Sequence, residues 1–141
     1  MNITLNHTIS VNDYNMLREA VHWNTLEEAQ AKRGIDNTYY LVSALDGDKT
    51  VGMARLISDG GYVAYLSDVI VLPEYHGSGI GSLMMEDIMK FIRDVLSDGL
   101  PVMVNLMSAA NREGFYEQFG FVKRPTEEVG AGMFQWINLV D

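Results

Sequence analysis

The chain has 141 residues, 48% of them hydrophobic and 21% charged, which suits a single domain over residues 1–141 with one sizeable core and leaves little room for two. A net charge of −9 argues against a broad basic footprint for nucleic acid or anionic lipid. Cysteine is absent, which excludes disulfide frameworks, thiolate zinc sites and a cysteine nucleophile together and fits a reducing cytoplasm. The first residues have neither a basic start nor a long apolar stretch, and no segment approaches about 18 consecutive apolar residues. A soluble, unprocessed, cytoplasmic chain is expected.

Ile3, Leu5, His7 and Ile9 alternate with polar residues, the period of a strand with one buried face, on which His7 reads as a satisfied core residue. A helix is expected from Ser10, with Met16, Leu17 and Val21 as its apolar stripe and a break near Trp23-Asn24. Thr25 and Glu28 have capping-box spacing, so a second short helix should run to Lys32 or Arg33 and end at Gly34. Residues 39–45, 50–58 and 62–72 are rich in β-branched, aromatic and other apolar side chains. Asp46-Gly47 and Asp59-Gly60 separate them, which predicts an antiparallel meander.

After Pro73 a glycine-rich turn leads into a long helix with Met84, Ile88, Phe91, Ile92 and Val95 on one face, ended by Asp98-Gly99 and Pro101. A strand over 102–106, a short helix over about 111–119 stopped by Gly120, and a last strand over 133–140 complete the chain. Neither an internal repeat nor a linker is visible. The order predicts an α/β fold whose central sheet is mixed and mostly antiparallel, flanked by about four helices, the two later ones crossing between neighbouring strands.

The most informative stretch is His76-Gly77-Ser78-Gly79-Ile80-Gly81-Ser82, which follows a buried-looking strand and opens the longest helix. Alternate glycines let the backbone bend so that its N–H groups point at a bound anion. The helix N-terminus adds about half a positive charge at the same place. A diphosphate can thus be held by main-chain dipoles on a protein of strongly negative charge; the bland alternative is a plain strand-to-helix turn. A P-loop is ruled out by the missing lysine, and a Rossmann fingerprint by Ser82 and the preceding meander.

His76-Gly77-Ser78-Gly79-Ile80-Gly81 resembles the Gln/Arg-x-x-Gly-x-Gly/Ala motif of the GNAT superfamily of N-acetyltransferases. The stretch from Asp68 through Val69, Ile70 and Val71 to Tyr75 is similar to that family's fourth strand. The stretch from Asn111 through Tyr116 to Phe121 is similar to its second motif block. The likeness is closest between residues 66 and 122, and His76 departs from the usual Gln or Arg while still able to donate a hydrogen bond.

The resemblance implies acetyl-CoA as co-substrate, lying between splayed fourth and fifth strands, here residues 69–71 and 102–106. Ile70 and Val71 would orient the thioester by their main chain. His76, Gly77, Ser78, Gly79, Ile80, Gly81 and Ser82 would cradle the pyrophosphate, and Asn105 and Asn111 would contact the pantetheine arm. For Asn105 the alternative is a strand-end residue, and for Asn111 a helix N-cap.

Acyl transfer to a primary amine in a ternary complex needs a neutral nucleophile, and an amine of pKa ~10.4 is only ~0.04% neutral at pH 7. It also needs a proton for the departing thiolate, and Tyr116 matches the tyrosine that commonly supplies it; its alternative is packing beside Phe115 and Phe119. Asp68 is the one charge in 62–72. It suggests either a bulge that turns it into the cleft, as a water-relayed base, or a buried hydrogen-bond anchor. Tyr65 is a further cleft candidate.

Trp23 is expected to wall an acceptor pocket or to pack at the helix junction, and Arg55 and Tyr62 lie in the acceptor-selecting meander. The acidic surface favours a cationic small-molecule or peptide amine. The mechanism needs no metal, and His7, His22 and His76 lack metal-ligand spacing. A non-catalytic acyl-CoA-binding or sensor module is the rival function. A partner-binding domain using residues 133–137 is a third, with Trp136 at an edge supporting a homodimer.

Overall fold

A computed structural model describes residues 1–139. The N-terminal alternation forms strand β1 (Ile3–Asn6). Helix α1 (Val11–Ala20) begins after Ser10, whose hydroxyl accepts the Asp13 amide at 3.1 Å. Its buried face is Tyr14, Leu17 and Arg18 rather than Met16, Leu17 and Val21, because Arg18 is drawn inward by a carboxylate on the sheet. His7 lies just past β1 and is exposed, with Nδ1 on the Leu41 carbonyl.

Helix α2 (Glu28–Asp36) is capped by Glu27, whose carboxylate accepts from Ala29 and Gln30, and not by Thr25. Gly34 lies inside α2 instead of ending it, and its carbonyl accepts from Arg55 and Thr38.

Strands β2 (Tyr40–Asp46), β3 (Lys49–Ser58) and β4 (Val63–Val71) form the expected meander. With β5 (Met103–Leu106) they make a five-stranded sheet in the order β1-β2-β3-β4-β5, antiparallel except for β4 with β5. In β3 every residue from Thr50 to Leu56 is buried, the mark of a strand covered on both faces. Helix α3 (Ile80–Phe91) buries Ile80, Met84, Met85 and Ile88 and makes the crossover from β4 to β5. The stripe then departs from expectation. A π turn over Ile92–Leu96 adds a residue to the cycle, so Ile92 and Leu96 are buried and Val95 is exposed.

These elements form one compact unit, Met1–Leu106, and a second begins at Met107. In the second, helix α4 (Glu113–Glu117) is shorter than the expected 111–119. The expected last strand is not formed over 133–139, and Val140 lies outside the described residues. Met133, Phe134, Trp136 and Ile137 are exposed there; β propensity supplies no strand without a neighbour to complete its ladder. Among the described residues no helix is long and apolar enough to cross a membrane.

Candidate active site

The register of β3 on β4 slips between Met53 and Arg55: Met53 faces Ile70, but Arg55 faces Ser67. One extra β4 residue is accommodated there, and Asp68 takes it up with φ 53 in the left-handed region. Its side chain is only 9% exposed. Arg55 Nε donates to Oδ2 at 2.8 Å, Arg18 Nη1 donates to Oδ1 at 3.1 Å, and the Tyr14 hydroxyl donates to Oδ2. The bulge is present, but it holds the Asp68 carboxylate as a buried hydrogen-bond anchor and not facing a cleft as a base. Three donors occupy its oxygens.

Beyond the bulge one edge of β4 has no strand partner among the described residues. The parallel ladder runs from Val63–Met103 to Leu66–Leu106 and stops, since β5 ends there. The Leu72 amide donates to Val51 on β3 at 2.9 Å. Main-chain groups alternate sides along a strand, so those of Ile70 also turn to β3, while those of Val69 and Val71 face the free edge. The Ile70 main chain, expected to orient the thioester, thus faces β3, and the neighbouring Val69 takes its place on the free edge. Gly52 lies directly behind: a Cβ there would sit 3.0 Å from the Ile70 carbonyl and 3.1 Å from Met84 Cε.

The free edge leads through a single 3-10 turn (Pro73–Tyr75) to the glycine turn. His76 Nε2 lies 2.8 Å from the Val71 carbonyl, tying turn to strand. Gly77 and Gly79 have φ 79 and 87, a region costly for other residues, and no atom lies within 4 Å of a Cβ built on either. Backbone conformation rather than crowding calls for glycine.

Ser78 donates its amide to Tyr75, and the first amide bonded within α3 is that of Leu83. The amides of Gly77, Gly79, Ile80, Gly81 and Ser82 have no acceptor among the described residues. Residues 76–79 are exposed, Gly81 and Ser82 half-buried and Ile80 buried, so the Gly77 and Gly79 donors are the ones open to an incoming anion.

The remaining residues are placed less decisively. Asn105 on β5 faces Tyr65 and reaches the Ala64 carbonyl at 3.5 Å. Burial and the Asp68 charge raise the Tyr65 phenol above its usual range. Arg18 lies 5.5 Å from the Trp23 ring centre, so Trp23 packs at the helix junction, and Tyr62 is exposed.

In the second unit Asn111 takes φ 66 and precedes the cap residue Arg112, so it is not the N-cap. Tyr116 lies on α4, 5.1 Å from the Phe115 ring and 6.3 Å from Phe121. Burial raises its phenol above the usual tyrosine range, opposed by Arg112, and its hydroxyl has no partner among the described residues. An open hollow of about 410 Å³ beside Met16, Glu19, Lys49 and Glu74 contains none of the expected site residues.

Tyr14 and Arg18 escaped notice in the sequence because both lie 50 or more positions from Asp68. The only local signal is Arg18 interrupting an apolar stripe.

The acetyltransferase (GNAT) domain model matches residues 10–138. An uncharacterized N-acetyltransferase ycf52 of Gracilaria tenuistipitata var. liui is 27% identical, over 97% of this chain and 74% of that protein. GCN5-related N-acetyltransferase 2, chloroplastic, of Arabidopsis thaliana is 36% identical, over 61% of this chain and 31% of its own. Among solved structures, a Staphylococcus aureus protein described as a "probable acetyltransferase" superposes with TM-score 0.83 and 32% identity, covering 96% of this chain and 99% of its own. A GNAT family acetyltransferase of Streptococcus pneumoniae gives 0.78 and 29%, covering 96% and 98%. A mixed sheet with a free β4 edge, a glycine turn of unused amides and a match over nearly the whole length agree, and the chain belongs to the GNAT acetyltransferase family.

Proposed function

We infer that this protein transfers the acetyl group of acetyl-CoA to a primary amine by direct attack in a ternary complex. One observation carries the inference: the unused amides of residues 77 and 79–82 continue from the β4 edge at Val69 and Val71 that β5 leaves without a ladder partner, the Val71 carbonyl being held by His76. A pyrophosphate joined to an amide-bearing arm is matched by such a combination, anion donors at a helix N-terminus beside a strand edge that accepts a further strand-like segment. Asn105 and Asn111 are the further contacts to that arm.

In the reaction the amine nitrogen attacks the thioester carbonyl, the C–S bond breaks, and the thiolate takes a proton. Tyr116 is the donor in this scheme; its raised phenol stays protonated at neutral pH. The amine's proton leaves through water, because the oxygens of Asp68 are already engaged by three donors. No step requires a metal. The protein works in the cytoplasm in this scheme, and its partners are a small-molecule or peptide amine and a second copy of the chain meeting the exposed run from Met133 to Ile137. Light scattering tests that dimer.

The engagement of Asp68 also favours a second reading, a non-catalytic acyl-CoA sensor that keeps the cradle without a side-chain base. Thiol release from acetyl-CoA across a panel of amines separates the two. Amine-dependent release above an enzyme-free control supports transfer, whereas calorimetric binding of CoA with no release supports the sensor. Absence of any binding by the folded protein overturns both.

A further inference from the structure

Two guanidiniums share a single carboxylate at the β4 bulge. Arg18 and Arg55 are each 9% exposed and both contact Asp68, leaving one positive charge in excess at a nearly buried site. An excess charge in that position favours an anionic partner.

The geometry shows where one would bind. Arg18 uses Nε on the Asn24 carbonyl and Nη1 on Asp68. Arg55 uses Nε on Asp68 and Nη1 on Gly34 and Thr38. Nη2 of each has no acceptor among the described residues, and no fully buried side-chain nitrogen or oxygen there lacks a partner, so each Nη2 keeps some contact with solvent. The Tyr14 ring lies 5.9 Å from one guanidinium and 5.5 Å from the other, holding both in place. Asp68 is also where the free edge of β4 begins, one residue before Val69.

We propose that Arg18 and Arg55 are the acceptor-recognition pair, and that the acceptor is a small primary amine also bearing a carboxylate or phosphate. Planar guanidiniums suit both anions through paired N–H donors. The acidic surface does not oppose this at short range, since exposed charges beyond about 8 Å are largely screened at physiological salt. The proposal rests on the acetyl-transfer reading and narrows its substrate class.

Matched amines test it with acetyl-CoA and thiol detection: glycine against glycinamide, and phosphoethanolamine against ethanolamine. In at least one pair the anionic member should have the higher kcat/KM by about tenfold or more, the worth of one charge-assisted hydrogen bond. Which pair responds tells carboxylate from phosphate. Arg18→Lys and Arg55→Lys should shrink that ratio while CoA affinity and circular dichroism hold. Equal or reversed preference in the wild type overturns the proposal and leaves transfer standing.

If no amine releases thiol, the transfer reading fails by itself, and the anion site is decided by guanidinium ¹H–¹⁵N signals titrated with acetate and with inorganic phosphate. Saturable shifts at Arg18 and Arg55 uphold the site. Their absence overturns it.

Discussion

Asp68 and Arg55 meet across the β3–β4 pair at the point where its register slips, Arg55 Nε donating to Asp68 Oδ2 over 2.8 Å. The slip and the ion pair are one feature. The extra residue turns Asp68 into the left-handed region, its carboxylate meets two arginines under α1, and β4 continues with one edge unpaired. A β4 without the bulge would hold that edge in another direction.

Asp68→Ala should therefore destabilise the fold strongly. Removing the carboxylate leaves two buried guanidiniums without their counter-charge, a loss of about 3–5 kcal/mol for a broken buried pair. Asp68→Asn keeps one acceptor oxygen and a residue tolerant of positive φ, and should lose less. Urea unfolding of the three proteins checks the order. An alanine variant as stable as the wild type would remove the anchor.

Gly79→Ala should separate backbone strain from crowding. Nothing stands within 4 Å of the new methyl, so the stability loss should be only about 1–2 kcal/mol, the cost of a left-handed alanine. Because the loop amides would be re-aimed, CoA binding by calorimetry should weaken by about tenfold, one charge-assisted bond's worth. Unchanged affinity would detach the glycine turn from the pyrophosphate.

Tyr116→Phe should lower kcat by about a hundredfold with CoA affinity held, the usual scale of a lost general acid. A general acid must be protonated to act, and burial raises this phenol. The wild-type rate should then show no alkaline fall from this group until above pH ~10. An alkaline limb nearer neutrality that vanishes in the phenylalanine variant would contradict the raised value.

Tyr14 gives a signed dependence of stability on pH. Burial, the hydrogen bond to Asp68 and that residue's charge push its phenol up to about 12 in the folded protein, against ~10 unfolded. The folded state holds the proton more tightly, so the stabilisation is complete below pH ~10 and is lost as pH rises towards about 12. Urea midpoints measured stepwise over that window should fall, and fall less steeply in Tyr14→Phe. Equal slopes would place the alkaline sensitivity in other tyrosines.

Strand and helix order as far as the short fourth helix, the meander and the glycine turn are local properties, legible from periodicity and from the conformational freedom of Gly77 and Gly79, whereas the strand expected after that helix is not formed over 133–139. Asp68, a charge amid apolar neighbours, likewise marks a bulge or an anchor from the sequence alone. The π turn at Ile92–Leu96 and the helical placement of Gly34 were not legible, because packing and the reach of Arg55 to the Gly34 carbonyl override local preference.

The partners of Asp68 were out of reach for a related reason: Tyr14 and Arg18 lie 50 or more positions away, and no short-range pattern reports which distant side chains a folded sheet brings together. The same holds for the free edge of β4. Main-chain direction depends on register, and a single slipped residue moved the outward-facing groups from Ile70 to Val69.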